Sequence, residues 1–327
     1  MSEGTVIFLY LSSRNTVDWS SAEGCRSLTA VLFKFHFNLS VILPENRLVP
    51  GITNRFHYIK WIESLLLMTK SHPSWCQFIG DDVVGGDIGA GASCVFPLIF
   101  ANLFPTLKMV ATEVDPFSHD VALENVYRNQ MQDQIELVLN ENPSVVLPPL
   151  FSSSHDRFDF MMCNPPFYRL DEKVEKRGDR CLDASSVELA TEGGEERFIS
   201  QMVEESTELS KKVCVGKNWW LSLILLLLLG DLVHIDDGQK GDSIQSCNKA
   251  SASESNNCNW NSVSGLHFQL TQGKTTRWVV AWSFLIKLPS LESLPLPDGP
   301  YVMKSSQDFN CPSMAATLKT VVKRITK

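Results

Sequence analysis

A strand that runs straight into a glycine turn constrains this chain more than any other feature. It is Val83-Val84-Gly85-Gly86-Asp87-Ile88-Gly89-Ala90-Gly91-Ala92-Ser93. Gly89 and Gly91 let the backbone come close to a ligand, as in nucleotide-binding βα turns. An acidic residue, Asp87, precedes the turn, and a second apolar strand, Met109-Val110-Ala111-Thr112-Glu113-Val114, follows it. Glu113 lies 26 residues after Asp87. A carboxylate after the second strand of such a fold commonly accepts hydrogen bonds from ribose hydroxyls, at a spacing of about 20 residues. Alone, Glu113 also reads as a solvated strand end; with the turn in front of it, the cofactor reading is favoured.

The segments around this unit alternate in character. Ser118 to Gln130, with a Pro-Phe-Ser entry, reads as a helix, and Ile135 to Leu139 as a third strand. Asn140 to His155 is rich in Pro and Ser and reads as a loop with a short apolar turn at Val145 to Leu147. Upstream, Ile59, Ile62, Leu65 and Leu66 fall at helical spacing, the stripe of a core-facing helix. Alternating strands and helices predict an α/β fold with a parallel sheet covered on both faces. Its ligands sit at the carboxyl ends of the strands, where Gly89, Glu113 and Asn164 converge.

Asn164 opens the second informative motif, Asn164-Pro165-Pro166-Phe167, which follows the apolar run Phe158-Asp159-Phe160-Met161-Met162-Cys163. The prolines hold φ near −65° and carry no N–H. The Asn164 amide oxygen and the Pro165 carbonyl can therefore both accept from one NH2 group, and Phe167 can stack on the ring that bears it. This equipment suits methyl transfer to a planar amine. A strand followed by a proline turn is the plainer alternative.

Taken together, three blocks resemble the U6 snRNA adenine-N(6) methyltransferases, the family of methyltransferase-like protein 16 and its bacterial relative, ribosomal RNA large-subunit methyltransferase F. The blocks are Asp87 to Cys94, Ala111 to Asp115 and Met162 to Phe167. Arg47 to Pro50 with Arg55 to Trp61, Thr191 to Glu195, and Gln272 to Trp278 with Ala281 to Phe284 agree with it. The resemblance covers roughly residues 23–212 and 268–284. It implies a Rossmann-like class I S-adenosylmethionine-dependent methyltransferase that forms N(6)-methyladenosine on U6 snRNA or messenger RNA hairpins. It also implies Asn164, Pro165, Pro166 and Phe167 as catalytic residues. Arg55, Asp87, Gly89, Gly91, Glu113, Ser144 and Asn164 are the implied cofactor contacts, with no metal. The family's behaviour implies a nuclear protein with some cytoplasmic share, and names no protein partner.

Bulk composition narrows the class without naming a substrate. With 44% apolar and 20% charged residues, 327 residues can bury a sizeable core. The net charge of −8 is unusual for an RNA binder. Lys173, Lys176, Arg177 and Arg180 follow the Asn-Pro-Pro turn, interleaved with Asp171, Glu172, Glu175 and Asp179. That loop reads equally as a phosphate contact or a solvated mixed-charge segment. Nine cysteines without a C-x-x-C pair indicate neither a zinc site nor a disulfide framework. The start has a short apolar piece without a basic flank, so no signal peptide is expected.

The expected organisation is an unmatched arm at 1–22, an N-terminal module at 23–78, a methyltransferase domain at 79–288 and a polar tail at 289–327 with a helix over Met314 to Ile325. Residues 213–266 depart from the family and read as an atypical insert. Its apolar run, Trp219 to Leu229, is too short for a bilayer, which takes about 20 residues; a core helix, a core strand or an interfacial segment remain. Ser243 to Ser264 is rich in Ser, Asn and Gly and reads as disordered. The insert is expected to disrupt the later half of the sheet. Two further departures weaken the RNA expectation: the N-terminus lacks the family's basic arm, and Pro143 stands where the family often has Lys. Two other readings stay open, a methyltransferase of a protein glutamine amide and a catalytically silent binder of cofactor or RNA.

Overall fold

Most strands of this chain lie in one sheet, and its central members are short apolar runs. The structure, a computed structural model, describes residues 21–71, 82–155, 158–166, 168–169, 184–185, 188, 190–215, 224–229, 264–272, 275–283 and 309–310. Two helices come first, α1 (Ala22–Phe37) and α2 (Ile52–Ser71). Then follow β1 (Val84–Ile88), α3 (Val95–Leu103), β2 (Lys108–Glu113), α4 (Pro116–Arg128), β3 (Ile135–Leu139), a 3-10 turn (Pro148–Ser152) and β4 (Phe160–Cys163). The later elements are β5 (Tyr168–Arg169), β6 (Ala190–Thr191), α5 (Gly194–Val215), β7 (Ile224–Leu229), β8 (Ser264–Gln272), β9 (Thr275–Ser283) and β10 (Phe309–Asn310).

The main sheet runs β10-β8-β9-β7-β4-β1-β2-β3. β3, β2, β1, β4 and β7 are parallel, and β9 runs against both β7 and β8. The order reverses at β1, between β2 and β4, so a crevice opens outside the carboxyl ends of those strands. β5 and β6 form a separate small ribbon.

The later half of the sheet corrects the expectation for residues 213–266. Ile224 to Leu229 is β7, in register with β4 from Phe160↔Ile224 to Cys163↔Leu227, and bonded to β9 on its other side. Central parallel strands commonly read as unbroken apolar runs, and of the readings left open for this run the strand is the one observed over Ile224–Leu229. The sheet is continued, not disrupted. Residues 230–263 lie outside the described residues, as does the helix expected over Met314 to Ile325. Among the described residues, no helix is long and apolar enough to cross a membrane.

The N-terminal helices share the core of the sheet. Phe33, Tyr58, Trp61, Ile62 and Leu65 are buried in one cluster with Phe96, Phe100, Met109 and Phe160. Tyr58 meets Phe96 edge-on at 5.6 Å, and Phe100 lies 5.2 Å from Phe160. Thus Ile59, Ile62 and Leu65 face the core as their spacing predicts, with Leu66 packed at its margin.

Residues 38–50 form an extended strap along α4. Ser21 caps the start of α1, and Asn38 ends it in the left-handed region at φ 55°. Asn129 then binds both backbone groups of Ser40, and Asn125 binds both of Ile42. Arg47 donates to Asp115 at 2.8 Å and to Ser118 at 2.9 Å, with its guanidinium 4.7 Å from the Phe117 ring centre. Asp115 also caps α4, and Pro116 supplies the fixed φ of its first turn. The strap is thereby delivered to the carboxyl end of the sheet at Leu48.

Candidate active site

The tips of β1 and β2 are joined by backbone hydrogen bonds before any side chain acts. Gly89 and Ala90 both donate to the Thr112 carbonyl, at 2.9 Å each. Gly89 has φ 77° and Gly91 φ 62°, the left-handed region that glycine enters without steric cost. A Cβ built on Gly89 would meet nothing within 4 Å, so the turn faces open space. The turn expected at these glycines is present.

Glu113 closes the turn from below. It is 5% exposed. Its Oε2 accepts from the Gly91 N–H at 2.8 Å, and its Oε1 from Val114 and Asp115 at 2.9 and 3.0 Å. Burial raises the carboxyl above its ordinary range, and the three N–H donors pull it part of the way back. From β3, Asn140 donates its own N–H to the Glu113 carbonyl at 2.7 Å and its side-chain amide to Val145. Asn142 continues the chain of caps by accepting from Ser144. This holds Pro143 and Ser144 at the rim. A hydrogen-bonded turn forms at Pro143–Ser144, the chain bends again at Val146–Leu147 within the short turn expected over Val145 to Leu147, and the 3-10 turn begins at Pro148.

Helix α5 fastens the other side of that loop. Glu205 accepts from the N–H groups of Val146 and Leu147, at 3.0 and 2.7 Å through Oε2. Gln201 donates to the Ser144 carbonyl and to Glu205. A cavity of about 520 Å³ lies over these tips, within the range of cofactor sites.

Six of the implied catalytic and cofactor residues meet on the cavity wall: Gly89, Gly91, Glu113, Ser144, Asn164 and Pro166. Asn164 is half-buried, and its Oδ1 is fully enclosed without a hydrogen-bond partner. Pro165 is buried and is not among the wall residues. Phe167 lies outside the described residues, as do Lys173, Lys176, Arg177 and Arg180.

Asp87 and Arg55 stand behind the wall rather than on it. Asp87 is 1% exposed, and neither oxygen has a hydrogen-bond partner. Burial and the Glu113 carboxylate push its pKa up to about 8, against the pull of the Arg55 guanidinium. Arg55 is buried and lies 5.6 Å from the Phe96 ring centre.

Sequence reasoning missed several wall residues: Asn140, Glu188, Arg197 and Gln201. None sits in a spaced motif. Glu188 is brought in by the segment after the Asn-Pro-Pro turn, where it accepts from the Leu48 N–H through both oxygens, at 3.1 and 3.0 Å. It also accepts from the N–H and hydroxyl of Ser185. No group of three or more potential metal ligands occurs among the described residues.

A doubly wound sheet with this strand order, a glycine turn after β1 and a buried carboxylate at the tip of β2 define the Rossmann-like fold of class I methyltransferases. A family model described as RNA methyltransferase matches residues 5–226, and the chain belongs to that family. It is 31% identical to the U6 small nuclear RNA (adenine-(43)-N(6))-methyltransferase of Schizosaccharomyces pombe, over 84% of this chain and 64% of that protein. It is also 31% identical to the RNA N(6)-adenosine-methyltransferase METTL16 of Homo sapiens, over 84% of this chain and 45% of that one. The chain thus spans about half to two thirds of the length of these curated relatives. A crystal structure of the N-terminal domain of human METTL16 in complex with SAH superposes with a TM-score of 0.58 at 26% identity, covering 86% of this chain and 90% of that one.

Proposed function

We propose that this chain transfers a methyl group from S-adenosylmethionine to N6 of an adenosine in structured RNA. One observation carries the reading. The Asn164 side chain lines the cavity at the tip of β4, and among the described residues no group donates to its enclosed Oδ1, which a rotation of the amide turns into the cavity. A buried polar atom without a partner costs free energy, and a ligand NH2 relieves that cost.

The residues fit the cofactor. The glycine turn leaves open space above Gly89. Glu113 is held at the wall with one oxygen committed to the Gly91 N–H, in the position from which strand-end carboxylates bind ribose. Ser144 lines the same cavity. When bound, S-adenosylmethionine supplies a methyl carbon made electrophilic by a cationic sulfur. Asn164 acts on the acceptor: by taking a hydrogen bond from the adenine amine it draws the nitrogen lone pair out of ring conjugation and aims it across the cavity. The barrier falls mainly through orientation, which brings reacting atoms to about 3–3.5 Å. The methylated amine sheds its extra proton to water, so a strong general base is not required.

Similarity to enzymes named for U6 small nuclear RNA supports an RNA adenosine acceptor, and U6-like or hairpin RNA is the substrate class to try first. Such a substrate carries with it a nuclear location for the protein. The sheet continued through β7 weighs against the catalytically silent reading, which assumed damage to its later half. Transfer of labelled methyl to short adenosine-containing hairpins tests the proposal. Asn164→Ala is expected to lower transfer by at least about 100-fold. Equal transfer by both proteins overturns the assignment.

A further inference from the structure

Glu188 is a wall residue that the methyl-transfer reading leaves unused. Its carboxylate reaches to 3.8 Å from where a Cβ on Gly91 would lie, so it borders the glycine turn. Both oxygens face the Leu48 N–H, and Oε2 also receives the Ser185 N–H at 2.9 Å and its hydroxyl at 3.0 Å. These donors come from the strap and from the segment after the Asn-Pro-Pro turn. All are neutral, so they fix the position of the carboxylate without cancelling its charge. Among the described residues Glu188 is in no ion pair.

The rest of the wall does not supply the missing positive charge. Glu113 lies across the glycine turn, close enough for Glu188 to raise its pKa. The described wall holds Glu113, Glu188 and Glu192 against the single cation Arg197. Arg197 is 58% exposed and already bound to Glu192 at 2.7 Å. The side of the cavity bordering the glycine turn is therefore acidic.

That charge meets a specific problem of the reaction. The methyl donor and its demethylated product differ by one methyl group and by one positive charge at sulfur. A methyl discriminates by about 10- to 200-fold only where an apolar pocket encloses it, and here it has to point at the acceptor. The charge is an independent handle, because a fixed carboxylate in a partly enclosed site interacts with it more strongly than in bulk water. We propose that Glu188 is a specificity-determining residue for the cofactor: its carboxylate favours the cationic donor over the neutral product, and so lets product leave after transfer. This rests on the cofactor reading above.

Calorimetric titration of the full chain tests it, with three ligands: S-adenosylmethionine, S-adenosylhomocysteine, and an analogue carrying a protonated amine in place of the sulfonium. Glu188→Gln is expected to weaken both cationic ligands about fivefold relative to the neutral one. Ser185→Ala, which loosens the same contact but keeps the charge, is expected to leave that preference at the wild-type value. In the unmodified chain the preference for the cationic ligands shrinks as salt rises from about 0.05 to about 0.5 M. Equal weakening of all three ligands by Glu188→Gln assigns the residue a purely structural role and overturns the proposal. So does a preference that salt leaves unchanged, a readout that holds even if the variant does not fold. Failure of the wild type to bind any of the three ligands overturns the cofactor reading itself.

Discussion

The tips of β1 and β2 each present a buried acid, and the two are treated in opposite ways. Glu113 receives three backbone N–H groups. Asp87, one strand over, receives none. Glu113 is therefore part of the turn's architecture, since it satisfies one donor of the glycine bend and two at the end of its own strand. Asp87 contributes no such bond and sits as a cost to the fold beside Arg55, Glu113 and the equally unpartnered Tyr58 hydroxyl. One carboxylate shapes the site; the other is held in an unfavourable state next to it.

Removing the architectural acid should have the largest effect. Glu113→Ala leaves three donors unsatisfied, and we expect it to destabilise the chain by roughly 2–4 kcal/mol and to abolish cofactor binding. Chemical denaturation and calorimetry check both parts; a near-native midpoint would break the comparison at its stronger end.

Asp87→Asn should act with the opposite sign. The folded-state pKa of Asp87, about 8, lies above its ordinary value of 3.8. The folded chain therefore binds this proton more tightly than the unfolded one, and the group's contribution to stability falls as pH rises from about 4 to about 8. Arg55 from α2, Glu113 from β2, Tyr58 from α2, Cys163 from β4 and Cys94 at the start of α3 face it, and only Arg55 offsets the trend. The slope has an upper limit of about 1.4 kcal/mol per pH unit. The asparagine variant should lose most of that slope and be more stable than the wild type at pH 8. Urea midpoints measured at pH 5.5 and 8 decide the matter, and parallel shifts in the two proteins refute it.

Glu205 sharpens the comparison as a carboxylate of intermediate standing. It is only half-buried, yet it holds the N–H groups of Val146 and Leu147 and so the Pro143–Ser144 rim. Glu205→Ala should cost about 1 kcal/mol of stability and raise the KM for the methyl donor more than it lowers kcat. A fall in kcat alone would place the loop in the chemistry rather than at the rim.

The same contrast shows what was readable in advance. The glycine turn, the strand-end Glu113 and the Asn164 tip were legible because each is a short run whose chemistry depends on neighbours in the chain. Gly89 and Gly91 adopt the positive φ their type allows, and Asn164 ends an apolar strand as its position suggested. The role of Ile224 to Leu229 was ambiguous, because an unbroken apolar run fits a buried helix as well as a central strand. Glu188 was invisible: its bonding partner Leu48 lies 140 residues away, and no spacing rule reaches that far.

Local order, then, was written in the chain: the alternation of elements, the turn after β1, the acid at the end of β2 and the amide at the end of β4. Hydrophobic period and backbone sterics act over a few residues, so they can be read without coordinates. Which acids are satisfied and which are stranded, which wall carries uncancelled charge, and which neighbour completes β4 were decided only when distant segments met. Burial and hydrogen-bond partnership are properties of that meeting, because the free energy of a charge or an amide depends on what surrounds it rather than on what precedes it in sequence.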